Sequence, residues 1–271
     1  MTDFHAVQGA NATEYPSVRK IGPADLKEAL AKGIGDFLAM PTSLIFFGLV
    51  YPLYPIIAIC LAGNSVELLF PIMSGFAMLG SFAVIGLYEV SRRLELGLPI
   101  SWTKMFDLRH APSFPSILAL GFLLLVLFIC WQAAAEALYV SLFGSAPPPS
   151  IRAFLYEVLT TGRGWSLILF GSALGFIFAI VTLSVSVVSF PLLLDRNVGV
   201  AVAVLTSIRA VLLNPSTMAL WGLIVAVSLT IGFLLLLIGL AFVVPILAHA
   251  TWHLYRLVVV ASPSGGVGVR V

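Results

Sequence analysis

PSTMALWGLIVAVSLTIGFLLLLIGLAFVVPILAHATWHLYRLVVV, from Pro215 to Val260, contains no acidic side chain and decides how often the chain crosses a bilayer. As one helix it would be about 69 Å long at 1.5 Å per residue. That is about twice the ~30 Å hydrocarbon core of a membrane, so two spans turning near Gly232 to Gly239 suit the length better. Against that turn, LLLLIGL offers one glycine and no polar residue. Six spans in all is the expectation, with five as the alternative.

Positive charge points the same way, because Lys and Arg concentrate in cytoplasmic segments. With six spans, all but two of the Lys and Arg residues fall inside, and only Arg152 and Arg163 lie outside, a split of 12 to 2. Five spans would move Arg256 and Arg270 outside, for 10 to 4. Both arrangements put the N-terminus in the cytoplasm.

Composition agrees with a membrane protein. The 271 residues are 60% hydrophobic and 10% charged, with a mean hydropathy of +1.09, whereas soluble domains carry about 25% charged residues. The net charge of +2 is too small to suggest nucleic acid as a partner. Residues 1–35 contain no continuous apolar stretch of the kind that opens a secretory signal. The expected fold is an all-α, polytopic transmembrane bundle with short amphipathic interfacial helices, and the lipid bilayer is its first partner.

The spans are read at about residues 40–61, 66–91, 115–142, 166–194, 215–236 and 239–258. They form one domain, residues 23–260, between a disordered tail at 1–22 and a flexible tail at 261–271. AGNS, Ala62 to Ser65, makes the first two spans a tight hairpin, and the prolines of GSAPPPS, Gly144 to Ser150, end the third. Cys60 and Cys130 belong to no CxxC or Cys/His cluster and read as small buried hydrophobes.

A weak threefold pattern runs through the chain. AMPTSLIFFGL from Ala39, SFPSILALGFL from Ser113 and LNPSTMALWGL from Leu213 each place Pro, then Ser or Thr, at the start of an apolar span, where proline's missing N–H costs nothing. An amphipathic segment precedes each. In Asp25 to Leu38, Leu26, Leu30, Ile34 and Phe37 share a face. Val198 to Leu212 is broken by Thr206, Ser207 and Arg209, and LPISWTKMFDL is short.

Ionisable groups at membrane depth are candidate functional residues. Glu136, in CWQAAAEALY, lies about two turns from the outer end of the third span; with Gln132 it could carry protons, or it could reach the interface. Glu89 ends the second span beside Arg92 and Arg93, where an i, i+3 or i, i+4 ion pair is expected. Thr182, Ser186 and Ser189 share a face of the fourth span and suit close helix packing better than a polar pathway. YPLYP, Tyr51 to Pro55, should kink the first span.

HATWHLYR, His249 to Arg256, admits two readings. His249 and His253 stand one turn apart, the spacing of a metal or haem site, and are the candidates for cofactor binding. A stable metal site usually needs three or four ligands, and no other His or Cys has an evident route there. Trp252, Tyr255 and Arg256 are residues of a headgroup boundary, so the stronger reading is an anchor of the last helix, with no cofactor and no metal. His253 or Tyr255 would then hydrogen-bond near Glu89 and Arg92.

No GxSxG, HExxH, Walker loop or usefully spaced carboxylate pair supports an enzyme. GLYEVSRRLELGLPISW at Gly86 to Trp102, LAHATWHLYR at Leu247 to Arg256, GIGDFLAMP at Gly33 to Pro41 and FPLLLDRNVG at Phe190 to Gly199 together resemble a family of bacterial integral membrane proteins, domain of unknown function 2189 (DUF2189). The likeness covers about residues 25 to 260. It implies six spans in the bacterial inner membrane and, from the label cytochrome c oxidase subunit borne by some members, an association with respiratory complexes. It implies no catalytic residue.

Two functions follow as expectations. One is a non-catalytic accessory or assembly partner of a respiratory or other membrane complex. The other is a small-molecule transporter or channel, suggested by the repeat, the YPLYP kink and Glu136.

Overall fold

The computed structural model describes residues 16–40, 53–63, 66–69, 71–73, 84–100, 113–146, 148–235 and 239–260. Among these, the chain is helical, with one isolated antiparallel bridge between Val18 and Val259. The helices are α1 (Pro23–Ala39), α2 (Leu53–Ala62), α3 (Ile85–Glu95), α4 (Phe114–Phe143), α5 (Ile151–Thr160), α6 (Gly162–Ser186), α7 (Ser189–Asp195), α8 (Val200–Leu213), α9 (Pro215–Leu234) and α10 (Leu240–Val258), with a 3₁₀ turn at Val66–Leu68.

Among the described residues, three segments are long and apolar enough to cross a membrane: α4, α6 with α7 (Gly162–Asp195), and α9. The spans at about 115–142 and 215–236 therefore correspond to α4 and α9. The fourth is not one continuous helix. It breaks at Val187 and Val188, flanked by Ser186 and Ser189, whose hydroxyls donate back to the carbonyls of Thr182 and Val185, a bond that competes with the helical ladder. α10 is not among the three, since its second half carries His249, Thr251, Trp252, His253, Tyr255 and Arg256. Much of the first two spans, with Tyr51, Pro52 and Pro41, lies outside the described residues, as does most of LPISWTKMFDL.

The polar-free turn between α9 and α10 has a steric basis. A Cβ on Gly239 would lie 2.7 Å from Gly232 Cα, so two glycines let the chain touch itself where it reverses. Pro215 and Pro115 each occupy the first turn of their helix, as two of the three repeat motifs require. Pro245 sits inside α10 without ending it.

α3 is buried on every side from Ile85 to Ser91, and α10 packs against it, against α9 and along α1. α4 and α6 pair through Trp131, whose ring meets Phe178 edge-on at 5.6 Å. Trp131 Nε1 also donates to the Pro71 carbonyl at 2.9 Å.

Neither amphipathic segment read as interfacial lies free of the bundle. α1 buries Leu26, Ala29, Gly33 and Phe37, while Ile34 turns outward, 45% exposed. The contact face is set by Ala29 and Gly33, which admit a neighbouring helix, rather than by the larger Ile34. α8 is oriented by the same rule: Ala203, Thr206, Ser207 and Ala210 face the protein, and Leu205 and Leu212 face outward. Without water to flee from, helices in lipid approach through their small residues. Cys60 and Cys130 are likewise exposed on outward faces rather than buried. Residues 17–19, read as the end of a disordered tail, are held instead. Val260 N donates to Ser17 O, Arg19 N donates to Val258 O, each at 2.9 Å, and the Arg19 side chain reaches the Leu257 carbonyl.

Candidate functional site

The polar residues of α10 converge with those of α1, α3 and α7 at one end of the bundle. α3 and α7 present their acidic C-terminal residues there: Glu95 is the last residue of α3 and Asp195 the last of α7. α10 reaches them because its final turns carry Trp252, Tyr255 and Arg256 on the side facing those ends. Arg256 Nε donates to Glu95 Oε1 at 3.0 Å and its Nη1 to Asp195 Oδ2 at 3.3 Å. Tyr255 donates to Asp195 Oδ2 at 2.6 Å, and Trp252 Nε1 to Glu95 Oε2 at 3.1 Å.

The two histidines part company. His253 Nε2 donates to Asp36 Oδ2 of α1 at 2.8 Å. His249 is fully buried, with Nδ1 2.7 Å from Ser91 Oγ of α3, and its Nε2 has no hydrogen-bond partner among the described residues. The rings thus address different helices rather than a common ligand, and no group of three or more His, Cys, Asp or Glu side chains suited to a metal occurs among the described residues.

The anchor reading of Trp252 and Tyr255 is corrected by their burial. Trp252 is 0% and Tyr255 1% exposed, so both are core residues covered by protein and not a headgroup belt. Their polar atoms bond carboxylates of α3 and α7, which lets an amphipathic ring be buried without leaving a donor unpaired. Neither His253 nor Tyr255 bonds Glu89 or Arg92, because that group is already closed upon itself. Glu89, 5% exposed, takes Arg92 at 2.7 and 3.0 Å and Arg93 at 2.7 Å. The Glu89 carboxylate holds the Arg92 guanidinium above its ordinary value.

Beside this network lies an open cleft of about 570 Å³, lined by Lys32, Asp36, Glu95, His253 and Arg256 with Leu94 and Leu257. Lys32 is engaged by Glu28 at 2.8 Å. Glu136 is remote from this end, exposed on α4, and forms no ion pair among the described residues. Thr182, Ser186 and Ser189 are buried.

Asp36, Glu95, Asp195 and Ser91 escaped the sequence reading. The three carboxylates accept from α10 and Ser91 shares a hydrogen bond with His249, and each of the four stands at or near the end of an apolar or amphipathic helix. Pairing acidic residues at span ends on the same membrane side as Arg256 would have singled out Glu95 and Asp195. Asn214 escaped as well. It ties the segment before α1 to the start of α9, accepting from Ile21 N at 2.8 Å and donating to Arg19 O at 3.1 Å.

Residues 69–195 match the model of a family described as predicted integral membrane protein, DUF2189. This is the family the sequence resembles, over a shorter stretch. The match includes Glu89, Arg92, Glu95, Glu136 and Asp195 and ends before His249 and Arg256. With its long apolar helices, the chain is an integral membrane protein. No curated protein and no solved structure matches it.

Proposed function

We propose that the protein is a non-catalytic, six-span component of the bacterial cytoplasmic membrane with its N-terminus in the cytoplasm, acting as an accessory or assembly partner of a membrane complex. The observation that carries this reading is the closure of the polar network. Arg256, His253, Tyr255 and Trp252 spend their donors on Asp36, Glu95 and Asp195, and Glu89 spends its acceptors on Arg92 and Arg93. Groups used in this way fasten helices to one another and leave no nucleophile, base or ligand set poised towards a substrate.

Pairing of Arg256 with both Glu95 and Asp195 favours six spans over five, since five would send Arg256 to the opposite face from those carboxylates. Reporter fusions after Pro149 and after Val271 test the topology. The first should report the periplasm and the second the cytoplasm; a periplasmic signal at Val271 removes the six-span reading. Affinity purification in mild detergent with mass spectrometry tests the role, and a stoichiometric membrane partner is expected.

Transport is the second reading, favoured by the unpartnered Nε2 of buried His249 close to the cleft at His253. A protein that purifies alone and moves solute across liposomes would replace the first reading with this one.

A further inference from the structure

The geometry points to α5, Ile151–Thr160, as a membrane-surface helix whose outer face lies in the headgroup layer at the end of the bundle opposite the Arg256 network. No residue of α5 is fully buried. Its outward residues divide into two adjoining strips at helical spacing. Ile151, Leu155 and Leu159 form one, and Arg152, Tyr156 and Thr160 the next, all of them exposed. The inward residues include Phe154, whose ring meets Tyr139 of α4 at 6.0 Å.

An aliphatic strip bordered by Arg and Tyr is the pattern of a helix lying in the interface plane, apolar side towards the acyl chains. A helix in water would hide Ile151, Leu155 and Leu159, and nothing among the described residues covers them. Two further observations set the depth and the angle. α4 is about 45 Å long at 1.5 Å per residue, close to the ~40–45 Å of a bilayer with its headgroup regions. Its last turn therefore stands at headgroup level, where Tyr139 and Phe143 touch α5 and Arg163. Exposed apolar side chains resume at the start of α6, at Trp165, Leu169 and Phe170.

The bend between the two helices is built. Thr161 Oγ1 accepts from Gly164 N at 3.0 Å to start α6. A Cβ on Gly164 would lie 2.1 Å from the Val158 carbonyl oxygen, so the backbones are in contact and only glycine permits the elbow. The occupant of the outward face is thus the lipid surface already bordering α6, with Arg152 at the depth of the phosphates.

Spin labelling of full-length protein lacking native thiols (Cys60→Ser, Cys130→Ser) in phosphatidylcholine nanodiscs tests this. Labels at Leu155→Cys and, as a second site, Leu159→Cys should collide severalfold more with oxygen than with a water-soluble nickel chelate. A label at Arg152→Cys should show the reverse preference or an equal one. Preferential nickel collisions at both 155 and 159 would overturn the proposal by putting the helix in water. Shielding from both agents, with dipolar broadening between labels, would overturn it in favour of a second copy of the chain.

Discussion

Gly33 of α1 and Ala250 of α10 meet backbone to backbone: a Cβ on Gly33 would stand 2.6 Å from the Ala250 nitrogen and 2.8 Å from its Cα. Two residues along, Gly35 has nothing within 4 Å of the same position. Gly33→Ala must therefore push the helices apart. Overpacking of this kind costs about 1–3 kcal/mol or more, whereas Gly35→Ala should be neutral or slightly stabilising. Thermal unfolding of both variants in detergent distinguishes the cases, and equal melting temperatures would contradict the close crossing.

Trp252→Ala should destabilise more than Arg256→Ala. The indole is wholly buried and donates to Glu95, and loss of such a side chain costs about 3–5 kcal/mol. The Arg256 side chain is 37% exposed, and its pairs with Glu95 and Asp195 are partly solvated, so about 1 kcal/mol is expected. Parallel melting curves check the order.

Asp25 should stabilise the fold in a pH-dependent way. The backbone N–H of Gly22, together with the Arg19 guanidinium, holds the carboxyl below its ordinary value of 3.8. A depressed folded value means the contribution is fully present above the unfolded value and is lost as pH falls through the folded one. Asp25→Asn should thus melt below the parent at neutral pH. The gap should shrink as pH drops below 3.8 and vanish once the parent's Asp25 is protonated in the fold. A gap constant with pH would assign the effect to something other than ionisation.

Glu136→Gln should leave expression and melting temperature unchanged, because the side chain is exposed and forms no ion pair among the described residues. A loss of stability would reveal a contact of this carboxylate with some other part of the protein.

The elements legible in the sequence were those defined by length and apolarity. α4 and α9 follow from long runs opened by Pro115 and Pro215, and the Glu89 pairs follow from spacing alone. What one strand of sequence conceals is which face of a helix meets protein. Ile34 and Leu205 are good hydrophobes that turn outward, while Gly33, Thr206 and Ser207 turn in, because packing in lipid rewards closeness more than apolarity. Trp252 and Tyr255 illustrate the same blindness from the other side. Their composition suits a headgroup belt, yet their donors find Glu95 and Asp195, partners far away in sequence. α5 went unread although Ser150 caps it, accepting from Ala153 N at 3.2 Å, since the preceding prolines were read only as the end of the third span.

The joining of Val18 to Val259, and of Asp36 to His253 across 217 residues, has a bearing on biogenesis. α1 emerges from the ribosome well before the surface it must cover on α10. Until then the close crossing of Gly33 with Ala250 cannot form, and a nascent chain arrested before Leu240 would lack the main surface that α1 covers. Docking of α1 onto α10 thus waits until Leu240–Val258 has been made, the earlier helix holding its contact face ready for the later one.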